Sequence, residues 1–198
     1  RCGWRNIQSK DVMVIGQNVI HPQSQQFLTD IEVTPPPGFE NYIKAFRKNG
    51  SFDKWKEAIK LITKTPIPMF QLYASFVPPF QILMGAPNFI INISGLHSTG
   101  KTSSQYPAAS VWGFPVREQG GLITGWNATK VGIENIAYFS NNLPVFLDDL
   151  QNVDDEIVAR VIYMFANGIG KLRGASRGIR PTFHWQGILF SNGEKPIS

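Results

Sequence analysis

The stretch Gly95-Leu96-His97-Ser98-Thr99-Gly100-Lys101-Thr102 fits the spacing G-x-x-x-x-G-K-[ST] without a gap. Each fixed residue type has a use in holding a chain of phosphates. The glycines let backbone N–H groups turn toward phosphate oxygens, the Lys101 ammonium reaches β and γ oxygens, and the Thr102 hydroxyl is a hard ligand for Mg²⁺. The expected nucleotide-binding residues are therefore Gly95, Leu96, His97, Ser98, Thr99, Gly100, Lys101, Thr102 and Ser103, with ATP as ligand. Lys101 is also the expected catalytic cation. His97 occupies a variable position of the pattern and has no chemistry of its own there. The loop follows the apolar run "FIINIS" and precedes a helix-compatible segment. An anion at that helix N-terminus would meet unpaired N–H groups and the favourable end of the helix dipole.

Two later strand ends carry matching polar groups. "LPVFLDDL" is an apolar run closing on Asp148-Asp149. Asp148 would share the metal with Thr102, and Asp149 would polarise an attacking water. Asp149 is one methylene shorter than the Glu usual in that role. The plainer reading is a strand end with a solvated acidic turn. "GILFSNGE" is another apolar run with a polar tip, where Asn192, or second to it Ser191, would sense the γ phosphate.

Charge is segregated along the chain. Asp148 to Glu156 holds five acids and no base, whereas Ile157 to Gly193 holds five Lys or Arg and no acid. Four of those cations, Lys171, Arg173, Arg177 and Arg180, fall within "GKLRGASRGIRPTFHW". "GKLRGA" and "GIRPTFHW" read as two short arms around Ser176-Arg177-Gly178. All four cations are expected to neutralise nucleic-acid phosphates, with His184 or Trp185 as a stacking face. For Trp185, core packing is the stronger expectation. Arg173 or Arg177 could instead act catalytically, reaching a neighbouring subunit's γ phosphate as an arginine finger. A solvated loop whose charges only aid solubility is the plain alternative. Gly174-Ala175-Ser176-Arg177-Gly178 also matches G-x-S-x-G, but a hydrolase nucleophile there needs a helix after the serine. Gly178 and Pro181 oppose one.

These residues need a frame, and composition supplies it. The chain has 198 residues, 42% of them hydrophobic, which suffices for a core and excludes a disordered segment. A net charge of +5 favours an anionic partner. Cys2 is the single cysteine, so no internal disulfide forms, and a reducing, cytoplasmic location is expected. With Cys2, His21, His97 and His184 scattered, no zinc spacing exists. The most apolar region, Pro66 to Ser94, is broken by Pro78, Pro79 and Pro87, and no membrane span is expected. Three stretches are expected: a β-rich lead-in over 1–50, a helical linker over 51–87, and an ATPase core over 88–198.

In the lead-in, a hairpin is expected around Gly16-Gln17-Asn18, and "FLTDIEV" follows it before Pro35. "SFDKWKEAIKLIT" predicts an amphipathic helix capped by Ser51 or Asp53. "IPMFQLYASFVPPFQILMG" predicts a buried helix broken at its proline pair. From Asn88 strand and helix signals alternate, which argues for a largely parallel sheet. The expected strands are Phe89 to Ser94, Gly125 to Thr129, Leu143 to Asp148 and Gln186 to Ser191. A helix is expected from about Asp154 to Gly168.

The runs "GLHSTGKTSSQYPAASVWGFP", "GWNATKVGIENIA", "LPVFLDDLQ", "MFANGIGKLRGASRG" and "WQGILFSNGE", with the opening "CGWR", resemble the phage and plasmid domain-of-unknown-function family 927. The resemblance implies an α/β P-loop NTPase fold (AAA+/RecA-like), a parallel sheet flanked by helices. It implies Walker A residues Gly95, Gly100, Lys101 and Thr102, a Walker B pair Asp148 and Asp149, and an end motif of Ser191, Asn192 and Glu194. It further implies a helicase-like ATPase of mobile-element DNA replication, dependent on ATP and Mg²⁺. Single-stranded DNA, a homo-oligomeric ring and a fused or associated primase are the implied partners. The chain opens on Arg1 and stops just past the sensor run, so a longer protein with a further strand and helical lid is expected. "GWNAT" also fits the family, and Trp126 and Thr129 are expected to be structural. A small-molecule P-loop kinase and a nucleotide-gated binding module with weak hydrolysis remain open as alternatives.

Overall fold

A computed structural model describes the chain except at Gln25, Pro36, Asn152, Arg173, Ser176, Arg177, Arg180 and Ser198, with the backbone alone at Ala175, Gly178 and Ile179. The first 27 residues form an antiparallel meander of β1 (Gly3–Ile7), β2 (Lys10–Ile15), β3 (Asn18–His21) and β4 (Gln26–Phe27). Ile15 pairs with Asn18 across the expected turn. "FLTDIEV" is not the strand its composition suggested. Only Phe27 of that run lies in a strand, paired with Ile20; beyond it the Leu28 N–H donates to the Val19 carbonyl, and Leu28, Ile31 and Val33 pack on Val12, Val14 and Val19.

Four helices follow: α1 (Glu40–Lys44), α2 (Phe52–Lys60), α3 (Pro66–Ser75) and α4 (Pro78–Met84). Ser51 caps α2, accepting from the Lys54 N–H at 3.3 Å. The break between α3 and α4 falls at the proline pair, as expected. The buried helix does not follow from it. In α3 the residues facing inward are Pro68, Gln71, Leu72 and Ser75, an i, i+3, i+4, i+7 stripe, while Ile67, Phe70 and Tyr73 stay exposed. Two of the four inward residues are polar because they serve as hydrogen-bond partners. The Gln71 amide donates to Ser104 Oγ at 2.7 Å, and Ser75 Oγ donates to the Leu72 carbonyl.

The remaining elements alternate. They are β5 (Phe89–Ser94), α5 (Lys101–Ser110), β6 (Ile123–Gly125), α6 (Lys130–Phe139), β7 (Val145–Asp148), α7 (Asp155–Asn167), the β8 (Gly174–Ala175) and β9 (Gly178–Ile179) pair, and β10 (Ile188–Gly193). β5, β10, β7 and β6 lie side by side in that order, all parallel. Period-2 alternation sends neighbouring residues into two separate cores. Phe146, Ile188 and Phe190 join Ala108, Ala109, Ile43, Phe46 and Cys2 on one face. Val145, Leu147 and Leu189 join Ile133, Val161, Phe165 and Trp185 on the other. Each such large side chain contributes roughly 1.5–3 kcal/mol by leaving water. The first core runs without a break from the N-terminal meander into the parallel sheet. None of the described helices is long and apolar enough to cross a membrane.

One strand is displaced from its expected place. β6 ends at Gly125, so the expected strand Gly125 to Thr129 is instead a turn. Gly125 pairs with Asp148 at the end of β7. Beyond it Thr129 caps α6, its Oγ1 accepting from the Gly132 N–H at 3.1 Å. Helix α7 begins at its Asp154 cap and closes on Gly168.

Candidate functional site

The C-terminal tips of the four parallel strands define one edge, the side on which open α/β sheets bind ligands. Ser94 pairs with Gly193, and the Gly95 N–H donates to the Gly193 carbonyl at 3.2 Å. The 95–100 segment therefore leaves β5 tied to β10 and enters α5 directly. Gly100, the residue before the first turn of α5, has φ +82°, a region where a side chain is strained. Gly95 is under no such constraint, since a Cβ there would meet nothing closer than Thr99 Oγ1 at 3.6 Å. Within the chain, then, only the second of the two glycines is required by the backbone.

Around this edge lies a cleft of about 530 Å³, lined by residues 97–103, Asp148, Asp149 and Asn192. The Lys101 ammonium donates to the Gly95 and Leu96 carbonyls at 2.8 and 2.6 Å. Thr102 Oγ1 donates to Asp148 Oδ1 at 2.8 Å. Asp148 is buried at the end of β7, whereas Asp149 is exposed and has φ +65°. Asn192 holds Asp149 in that conformation. Its Oδ1 accepts from the Asp149 N–H at 3.2 Å, and its carbonyl accepts from the Leu150 N–H at 3.1 Å. The Asn192 Nδ2, buried in the same wall, has no hydrogen-bond partner among the described residues. Such an orphaned donor costs free energy until an acceptor meets it.

Other expected residues lie elsewhere. Ser191 Oγ accepts from Trp126 Nε1 at 2.9 Å deep in the core and does not line the cleft. His97 Nδ1 lies 3.1 Å from Glu194 Oε1 at the exposed rim. Lys171 is exposed, and its backbone N–H donates to the Glu134 carboxylate; it borders a separate depression with Lys130, Arg160 and Tyr163. Arg173, Arg177 and Arg180 lie outside the described residues. The described residues on either side of them pair with one another. Gly170 N–H donates to the Phe183 carbonyl, Ile169 bridges His184, and β8 pairs antiparallel with β9. That pairing puts a strand where a hydrolase elbow needs a helix. Trp185 packs in the core against Phe165, its Nε1 donating to the Phe165 carbonyl, while His184 is exposed.

Arg117 lines the cleft and carries no motif to betray it. It belongs to a short 3-10 turn, Arg117–Gln119, and its Nη2 donates to Asn127 Oδ1 at 3.3 Å. Its guanidinium rests over Gly125, where a Cβ would stand 2.3 Å from Nη2. Four of the five residues of "GWNAT" thereby have a local role, and the fifth, Ala128, packs against the second core. Gly125 seats the guanidinium, Trp126 binds Ser191, Asn127 holds Arg117 and Thr129 caps α6. The signal was the glycine at a strand tip opposite an acid, but which cation used it depends on a loop that folds back from Pro115.

A parallel α/β sheet with a polar cleft across its strand tips, fronted by an antiparallel N-terminal meander, is the class of structure this chain forms. The chain belongs to the DUF927 family of domains of unknown function, whose model matches residues 1–181. Asn192 and Glu194 lie past the matched residues. None of the curated proteins matches the chain. Among solved structures, the SCCmec type IV Cch active helicase shares the fold over 99% of this chain with a TM-score of 0.72 and 18% identity. The chain spans 36% of that protein's length.

Proposed function

We propose that this chain is an ATP-hydrolysing motor module with a helicase-like role on single-stranded DNA, and that the cleft at the strand tips is its Mg²⁺–ATP site. The observation that carries the reading is the Thr102–Asp148 contact of 2.8 Å at the start of α5. It brings together two hard oxygen ligands from elements 46 residues apart, as a magnesium site requires. The cleft also needs a cation if it is to hold a polyphosphate. Lys101 and Arg117 are outnumbered there by Glu118, Asp148, Asp149 and Glu194. A bound Mg²⁺ would supply the positive charge that shields the phosphates from these carboxylates.

The chain's own residues divide the work. Backbone N–H groups of the 95–103 segment face the phosphates, and Lys101 exchanges its two loop carbonyls for phosphate oxygens. Thr102 and Asp148 hold the metal. Asp149, fixed at its backbone by Asn192, orients the attacking water. The free Asn192 Nδ2 and the Arg117 guanidinium meet the charge that develops at the γ phosphate. The hairpin of 169–184 carries Lys171, Arg173, Arg177 and Arg180 to nucleic-acid phosphates. In an assembled ring, Arg173 or Arg177 serves the neighbouring subunit's site instead. The expected setting is a cytoplasmic replication protein of a phage or plasmid, with a primase fused or associated. The helicase of the same fold supports the motor reading over the kinase alternative.

Phosphate release with and without single-stranded DNA, on wild type, Lys101→Ala and Arg177→Ala, with sizing of the same samples, tests the reading. We expect Lys101→Ala to lose about a hundredfold or more in rate. DNA stimulation should weaken with salt and be reduced in Arg177→Ala. Hydrolysis by a monomer indifferent to DNA would sink the motor reading and favour the kinase.

A further inference from the structure

At the far end of α5 from the nucleotide cleft lies a second cleft, about 640 Å³, between the N-terminal meander, residues 46–55 and residues 110–115. The ten residues of α5 separate the two by roughly 15 Å at 1.5 Å per residue. Phe27, Phe52, Trp55, Phe76 and Trp112 line it. Phe27 and Phe52 leave 62% and 66% of their surface open to solvent, too much for core residues. Phe52 and Trp55 are stacked, with centroids 5.8 Å apart and planes within 12°. The indoles are fixed from behind. Trp55 Nε1 donates to Ser110 Oγ at 2.8 Å, and Trp112 Nε1 donates to the Ser75 carbonyl at 3.1 Å.

The charge around these rings has one sign. Arg47 and Lys48 line the cleft and, among the described residues, no acid does. From Lys44 to Lys56 there are five bases and one acid, Asp53, which Lys56 already engages at 2.9 Å. The Arg47 guanidinium lies over the Phe114 ring, 4.3 Å from its centroid. Exposed rings beside Arg47 and Lys48, with the Lys56 ammonium itself 4.8 Å from the Phe52 centroid, suit a ligand with flat apolar faces and a negative backbone. Unstacked bases on a phosphate chain are such a ligand. An apolar peptide would have no use for the cations.

We propose that this cleft is a binding site for single-stranded nucleic acid, with a base on the Phe52–Trp55 stack and phosphates on Arg47 and Lys48. The proposal rests on the nucleic-acid reading above but uses residues remote from the basic hairpin. It also places nucleic acid beside the segment that serves ATP. Ser110 to Pro115 form a wall of this cleft, and Arg117 and Glu118, two residues on, line the nucleotide cleft.

Fluorescence anisotropy of labelled dT20 and rU20 with the 198-residue chain tests it, using wild type, Phe52→Ala, Lys48→Glu and the charge control Lys10→Ala. Phe52 is largely exposed, so its replacement should leave the thermal unfolding curve in place. We expect Phe52→Ala to weaken binding of the preferred strand by about 5- to 100-fold. Lys48→Glu should weaken it and flatten its salt dependence, and Lys10→Ala should bind as wild type. Failure of wild type to bind either strand, or equal binding by wild type, Phe52→Ala and Lys48→Glu, would overturn the proposal. If binding instead falls only in a Lys171→Ala/Arg180→Ala variant, the hairpin reading survives and this one fails. Phe52-dependent binding in a chain that does not hydrolyse ATP would leave this site standing and remove the motor.

Discussion

Single side chains at the cleft do two jobs at once, and Asn192 is the clearest instance. Its side-chain oxygen fixes the backbone of Asp149 while its amide nitrogen is buried in the wall with no hydrogen-bond partner among the described residues, so one residue both shapes the acid turn and holds a donor in reserve beside it. Arg117 depends on a neighbour in the same way. A methyl at position 125 would occupy the seat of the guanidinium, and the guanidinium is the end of a flexible side chain that can swing away. Gly125→Ala should therefore cost little stability yet act like Arg117→Ala. We expect both to lower the ATP turnover number by about a hundred- to a thousandfold, the scale of losing one charge-stabilising donor. Steady-state kinetics alongside thermal melts would check this. A normal rate in Gly125→Ala beside a slow Arg117→Ala would show that the guanidinium does not need that seat.

At the scale of elements, strands announced themselves by apolar runs and helices by stripes and caps. Phe89 to Ser94 is a strand over the range its composition suggested, and α7 starts and stops on Asp154 and Gly168. Three further failures, besides "FLTDIEV", have physical reasons. Gly125 to Thr129 has β-compatible residues, but a strand must stay level with its partner, and β7 ends opposite Gly125. "IPMFQLYASF" is apolar on nearly every side, so periodicity could not tell its inner from its outer face. On the inner face Gln71 reaches Ser104 of α5, whereas Ser75 Oγ bonds back to the Leu72 carbonyl of its own helix. Arg117 was invisible because its place depends on a loop fold and on a missing Cβ eight residues later. The meander's docking is equally a tertiary fact. Cys2 is buried in the core, its Sγ accepting from the Gly16 N–H, and burial pushes its thiol up from 9.0 to about 11. The folded chain thus favours the neutral thiol. Its contribution to stability is full below pH 9 and is lost as the pH rises toward 11. At pH 8, iodoacetamide should label Cys2 only as fast as the meander undocks, and denaturant should speed labelling sharply. Rapid labelling of the folded chain at pH 8 would show that the meander is not held.

Across the whole molecule, the two clefts stand at opposite ends of α5 and share the segment that follows it. One gathers carboxylates and a hydroxyl, suited to a metal and phosphates; the other gathers open aromatic rings and cations, suited to bases. The central claim is that the first cleft is a Mg²⁺–ATP site built on Lys101, Thr102 and Asp148. Isothermal titration of Mg²⁺–ATP into wild type, Lys101→Ala and Asp148→Asn addresses it most directly. Binding by wild type, lost or weakened at least tenfold in Lys101→Ala, and in Asp148→Asn no longer tightened by Mg²⁺, is the predicted result. Equal affinity in all three, or no binding by the folded wild-type chain, would contradict it.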